Sequence, residues 1–131
     1  MLYYKSGLLG VSGISGDLRV LMESKDPNAR KAIDLFVFRA CRELSIMVAT
    51  MEGMESLVFS AGIGENSPVI RKMICDRLGW LGVQLDDDAN NANAEIISCP
   101  ESRVEVRVIP TDEEIVLARQ TARVVSEAVK A

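Results

Sequence analysis

Three stretches of the chain hold polar and glycine residues at spacings that could serve a phosphate-bearing ligand. The first, Gly62-Ile63-Gly64-Glu65-Asn66, follows the apolar run Leu57-Val58-Phe59 and precedes Ser67-Pro68. Glycines at a strand end let the backbone turn where side chains would clash, and a following helix start offers free N–H groups and its dipole to an anion. A Walker A loop is excluded because no Gly-Lys-Ser/Thr follows, and the dinucleotide fingerprint fails where Ser67 stands in place of its third glycine. Spacing alone leaves two readings open: a nucleotide or phosphate site, and a purely structural turn. In the second stretch, Asp17-Leu18-Arg19, the carboxylate could take a ribose hydroxyl while the guanidinium lies beside an adenine or a phosphate. The alternative there is a helix N-cap with a surface arginine. In the third, Pro110-Thr111-Asp112-Glu113-Glu114, Glu113 could hold Mg²⁺ directly or through water, or complement the dipole of a helix start.

Other chemistries are narrowed by what the chain contains. It has no histidine, so any catalysis by its own residues proceeds without an imidazole base, and any metal is a hard cation on carboxylates, water or phosphate. Cys41, Cys75 and Cys99 are odd in number and far apart, which suits buried or incidental thiols better than a disulfide framework or zinc site. Asp86-Asp87-Asp88 falls near the distance a ribose ligand would need but precedes no obvious second parallel strand, and it lacks the EF-hand order of ligands; the acidic, asparagine-rich insert from Asp86 to Asn93 reads as a solvated surface loop. The net charge of -4, without a dense Lys/Arg run, argues against nucleic acid and polybasic membrane binding. No apolar run approaches the ~20 residues of a membrane span, and Met1 to Lys5 do not read as a signal peptide, so a soluble, cytoplasmic protein is expected.

The elements that must position these stretches follow from periodicity. Over 131 residues with 48% hydrophobic content, one domain or part of one is expected. Met1 to Lys5 read as the tail of a helix, with Gly7 as its left-handed cap, and Leu8 to Gly16 as a packed loop leading to a helical turn at Asp17. Asp26-Pro27 starts the strongest helix, with an apolar stripe running from Ala29 through Met47 and Met51 to a stop at Gly53. Its other face, Arg30, Lys31, Asp34, Arg42 and Glu43, reads as solvated surface. Leu57 to Phe59 lack alternation and suggest a strand covered on both faces. Ser67 and Pro68 open a helix whose stripe is Val69, Ile70, Met73, Ile74, Leu78 and Leu81, ending near Gly79 to Gly82. Val83 to Leu85 and Glu95 to Ser98 are short strand candidates around the acidic loop. Val104 to Ile109 form a further strand, and Thr111 with Glu114 makes a capping box for a helix to about Lys130. Two strand-to-helix junctions with a right-handed crossover predict parallel strands whose junctions share one sheet edge, so residues far apart in sequence meet at one site.

Four motifs occur together and in order: Ser6-Gly7-Leu8-Leu9-Gly10, Ser15-Gly16-Asp17-Leu18-Arg19, Phe59-Ser60-Ala61-Gly62-Ile63-Gly64-Glu65-Asn66 and Val108-Ile109-Pro110-Thr111-Asp112-Glu113-Glu114. Together they resemble the C-terminal part of the acetate and butyrate kinase family, essentially from end to end of this chain. The resemblance implies an α/β, ribonuclease-H-like half-domain of the actin, hexokinase and Hsp70 type, with parallel strands flanked by helices. It implies that residues 1–131 are a partial C-terminal nucleotide-binding domain without the N-terminal domain. The implied reaction moves the γ-phosphoryl of ATP to acetate, giving acetyl phosphate and ADP, with Mg²⁺.

Carried over residue by residue, the resemblance assigns Asp17, Leu18 and Arg19 to the adenosine side of the ATP site. It assigns Gly62, Ile63, Gly64, Glu65 and Asn66 to the turn against the nucleotide, and Glu113 to magnesium. The family's Thr-Gly-Gly-Ile-Gly-Glu-Asn reads Ser60-Ala61-Gly62-Ile63-Gly64-Glu65-Asn66 here, a small-for-small change that bears on nucleotide preference. The arginine, histidine and aspartate that serve transfer in family members, with the acetate pocket, have no match in these residues, so no catalytic residue is assigned and the chain alone is expected to be inactive. Self-association, or pairing with the missing N-terminal portion, is expected to cover its open faces. Alternatives are a butyrate or propionate kinase fragment, and a non-catalytic nucleotide-binding or assembly module.

Overall fold

A computed structural model describes residues 6–111 and Thr121 of the chain. At its centre, β1 (Ser56–Phe59) and β2 (Glu105–Val108) run parallel, with Ser56 opposite Glu105 and Phe59 opposite Val108. The expected parallel pairing is therefore borne out. Leu57, Phe59, Val106 and Val108 are buried, whereas Val58 is 48% exposed. That corrects the reading of the first strand as covered on both faces. An apolar run without alternation does not reveal which face is packed, and among the described residues the face carrying Ser56 and Val58 is open.

The longest helix is α3, named here after two short helices that precede it: α1 (Gly7–Ser12) and α2 (Leu18–Glu23), then α3 (Pro27–Thr50). Asp26 caps α3 through a 2.7 Å bond from the Asn28 N–H, and Pro27 fills the first turn, as expected. Ala29, Ala32, Ile33, Val37, Cys41 and Val48 pack into the core. Met47 and Met51, expected on that stripe, are 57% and 63% exposed, because they lie on a face of the helix end that no described residue covers, whereas Val48 in the same turn is buried. The polar face is solvated as expected, with exposed Arg30–Asp34 and Arg42–Glu43 pairs. The segment expected as a packed loop after Gly7 forms α1 instead, ended by Gly13 in the left-handed conformation at φ 69°. Its packing against α3 outweighs the weak helix propensity of a glycine-rich segment. Gly7 takes the left-handed backbone expected of it, at φ 64°, while Met1 to Lys5 lie outside the described residues.

Between the strands come α4 (Ala61–Asn66), α5 (Pro68–Arg77), a 3₁₀ turn (Gly79–Leu81) and α6 (Asp87–Asn91). Two of these correct the sequence reading. The glycine turn is itself one short helix, and the acidic stretch is not a loop but α6, capped by Asp86, whose Oδ1 accepts the Ala89 N–H at 3.0 Å. Nor is that stretch wholly on the surface, since Asn90 is 2% exposed. On α5 the core stripe is Ile70, Arg71, Ile74, Cys75 and Leu78, and Val69, expected in the core, stands 53% exposed. The helix is rotated by about one residue from the predicted stripe, with Arg71 taking a core position. Burial pushes the Cys75 thiol up to about 12, consistent with a packing role.

The candidate strands around α6 are isolated bridges, Leu85 with Ser98 and Ile96 with Arg107, both antiparallel. Through them the Ile97 N–H donates to the Val106 carbonyl and the Val108 N–H to the Glu95 carbonyl, each at 2.9 Å. β2 thus has backbone partners on both sides. Ile97, Val104 and Val106 on this side and Leu21, Val37, Ile70 and Leu78 from the helices form one continuous core.

Candidate functional site

Asp17 sits where the chain enters α2. Its Oδ1 accepts the Arg19 N–H at 2.9 Å and the Arg19 Nε at 3.2 Å, and its Oδ2 accepts Nη2 at 2.7 Å. These bonds hold the Asp17 carboxyl below its ordinary range, hydrogen bonding from the Arg19 side chain contributing most. Asp17 is thus an N-cap, and it also fixes the exposed guanidinium in one orientation. Leu18 is buried at 4% exposure and belongs mainly to the core.

The strand-to-helix junction is built by α4 and the residues around it. Ala61 adopts φ 56°, a left-handed backbone that costs a non-glycine residue about 1 kcal/mol and that glycine, the residue of the resembling family, adopts freely. Its N–H donates to Thr111 Oγ1 at 3.1 Å, across a separation of 50 residues. The Thr111 hydroxyl and N–H in turn donate to Glu65 Oε1 at 2.7 and 2.8 Å. The two junctions therefore meet at one sheet edge, as the crossover reasoning requires. Both bonds hold the Glu65 carboxyl below its ordinary range, the hydroxyl contributing more than the amide. Gly64 packs so closely under β1 that a Cβ would lie 3.3 Å from the Phe59 carbonyl carbon, whereas a Cβ on Gly62 would meet nothing within 4 Å. Of the two glycines, only Gly64 is required by close approach. Ser67 caps α5 through the Ile70 N–H, at 3.4 Å, with Pro68 in the first turn as expected.

Between α2 and the α4–α5 junction lies an open cleft of about 1030 Å³, in which Asp17, Leu18 and Arg19 face Gly62, Ile63 and Asn66. Asn66 Nδ2 donates to the Gly62 carbonyl at 2.8 Å, which sets the amide at the cleft edge. Gly64 and Glu65 do not line this cleft: one packs on Phe59 and the other is turned to Thr111. Glu113, with Glu114 and the expected last helix, lies outside the described residues. Among the described residues no group of three or more His, Cys, Asp or Glu is arranged to hold a metal ion. Met22, Glu23 and Val69 also line the cleft and carried no such expectation. Met22 and Glu23 could have been found from the helical i+4 spacing to Leu18 and Arg19; Val69 was taken for core.

A parallel strand pair with helices packed beside it, the first strand leading into the short helix α4 that borders an open cleft, is the α/β, ribonuclease-H-like class expected from the sequence. The Acetokinase family model matches residues 1–119, and the chain belongs to that family. It is 48% identical over 123 residues to the acetate kinase of Rickettsia felis, covering 94% of this chain and 32% of that protein. The crystal structure of Porphyromonas gingivalis acetate kinase superposes with a TM-score of 0.81 at 35% identity, over 92% of this chain and 32% of the other. A propionate kinase from Francisella tularensis subsp. tularensis SCHU S4 superposes with a TM-score of 0.80 at 34% identity, over 87% and 30%. The chain spans about a third of the length of the relatives it matches.

Proposed function

We propose that residues 1–131 are the C-terminal nucleotide-binding part of an acetate kinase and form one wall of its ATP cleft. The observation that carries this reading is the cleft itself, where Asp17 and Arg19 face Gly62, Ile63 and Asn66 across a space of about 1030 Å³, large enough for a nucleotide. In this reading the outer edge of the Asp17 carboxylate accepts a ribose hydroxyl, the Arg19 guanidinium lies against the adenine, and Gly62 leaves room for the backbone to approach the ligand. Glu113 holds Mg²⁺. Bound there, it would supply charge neutralisation at the phosphate oxygens. The γ-phosphoryl of ATP passes to acetate, giving acetyl phosphate and ADP, and use of ATP as the donor supports a cytoplasmic setting.

The cleft binds and orients, but the residues that form the acetate pocket in the resembling family have no match in this chain. Phosphoryl transfer depends on positioning and on charge stabilisation from both sides of the reacting group. The 131-residue chain alone is therefore inactive, and its open apolar surfaces pair with the remainder of a kinase chain. Titration with ATP and Mg²⁺ by calorimetry tests binding. Mixing the chain with the part of the Rickettsia felis acetate kinase that it does not match tests complementation: acetyl phosphate forms on mixing and not with the chain alone. Nucleotide binding without complementation favours a non-catalytic module, and absence of both overturns the reading. The likeness to a propionate kinase supports a second acid preference, decided by offering acetate, propionate and butyrate to the complemented enzyme.

A further inference from the structure

Arg71 is fully buried on α5, and its guanidinium has every N–H donor engaged by a neutral acceptor. Nη1 donates to the Gly64 and Glu65 carbonyls at 2.8 and 2.9 Å. Nε donates to Asn90 Oδ1 at 2.7 Å, and Nη2 to the Asn90 carbonyl at 2.7 Å and to Asn93 Oδ1 at 2.5 Å. Asn90, itself buried, anchors the far side by donating from Nδ2 to the Pro68 carbonyl at 3.0 Å. A buried cation is costly unless every donor is paired, and core packing alone would be met by an aliphatic side chain of similar volume. What an aliphatic side chain could not do is hold two carbonyls of α4 at a fixed distance from α6. Those carbonyls belong to the last turn of α4, where helical partners run out and a positive charge is favourable. The same short helix carries Gly62, Ile63 and Asn66 on the cleft.

We propose that Arg71, braced by Asn90 and Asn93, is a positioning residue that fixes the nucleotide-facing turn from behind, so that the asparagine-rich insert acts on the cleft without touching it. This rests on the ATP-cleft reading above. A shift of about 1 Å in a positioning element can cost on the order of 100-fold in function, so the clamp has leverage on ligand binding out of proportion to its distance from the ligand.

Asn93 offers the cleanest test, because it is exposed and sits at φ 51°. Asn93→Gly keeps that backbone and removes the acceptor; Asn93→Asp keeps the acceptor; Arg71→Lys removes the fork. Each full-length chain is assayed for ATP affinity by calorimetry, for thermal midpoint, and for amide hydrogen exchange at residues 62–66, with β2 amides as the internal reference. Arg71→Lys is expected to weaken ATP binding about tenfold or more and Asn93→Gly about threefold, with Asn93→Asp within about twofold of the parent. Exchange at residues 62–66 should accelerate in the first two variants while β2 amides do not change. Unchanged exchange and affinity in Asn93→Gly, or acceleration that is equal at β2, would overturn the proposal, and Asn93→Gly answers even if Arg71→Lys does not fold. If the parent chain neither binds ATP nor complements, the functional reading falls, while exchange at residues 62–66 still decides whether the clamp exists.

Discussion

Gly62 and Gly64 have different tasks within one helical turn, and single substitutions separate them. A Cβ at Gly62 meets only the open cleft, and alanine stabilises a helix interior over glycine by up to about 1 kcal/mol. Gly62→Ala should therefore leave the thermal midpoint equal or higher while ATP affinity falls, as the methyl group enters the cleft; an unchanged affinity would remove Gly62 from the ligand surface. Glu65 is read through pH. Its folded carboxyl titrates below the ordinary value of 4.5, so the stabilisation it gives is present above that value and is lost as pH falls through the lower, folded one. The Thr111 amide resonance should accordingly report a transition centred below 4.5, and a midpoint at or above 4.5 would mean that the bond does not persist in solution.

At the scale of elements, the caps and the strands were legible because each is a local signal. Asp26-Pro27 and Ser67-Pro68 act as read, and Asp26→Ala should cost about 1 kcal/mol in urea denaturation, with no loss indicating that the α3 terminus frays. The parallel strands followed from two strand-to-helix junctions and the handedness of crossovers. What could not be read was non-local. Arg71 lies in a hydrophobic stripe next to Ile70, and its acceptors are backbone carbonyls six and seven residues earlier and an insert nineteen to twenty-two residues later. Residue-type statistics exclude an arginine from the core unless that set of acceptors is known. The rotation of α5 that buries Arg71 is the same rotation that brings Val69 to the cleft. Likewise, α1 is helical because α3 lies beneath it, a tertiary influence that its glycines do not advertise. At the site, Asp17, Arg19, Gly62, Ile63 and Asn66 were named from sequence and share the cleft, while the Glu65 carboxylate, named as part of the same turn, accepts from Thr111.

The molecule as a whole hangs on a core shared between the helices and the segment at residues 95–98 that bridges to β2. Ile97, fully buried, ties that segment to β2. Ile97→Ala should destabilise the chain by about 2–5 kcal/mol, a large share of the roughly 5–15 kcal/mol available to a domain, as read from the denaturation midpoint. A loss below about 1 kcal/mol would mean that the site collapses around the smaller side chain. The pairing of β2 on both sides has a consequence for assembly. With the bridged segments at residues 84–86 and 95–98 short and irregular on one flank, β1 offers the only regular unpaired strand edge among the described residues. Strand addition there is a single event per chain: a second copy joining edge to edge uses up both edges and leaves no template for a third. Association through the sheet should therefore stop at two, so that sedimentation at rising concentration shows a monomer and dimer boundary in place of a growing series of fibrillar species.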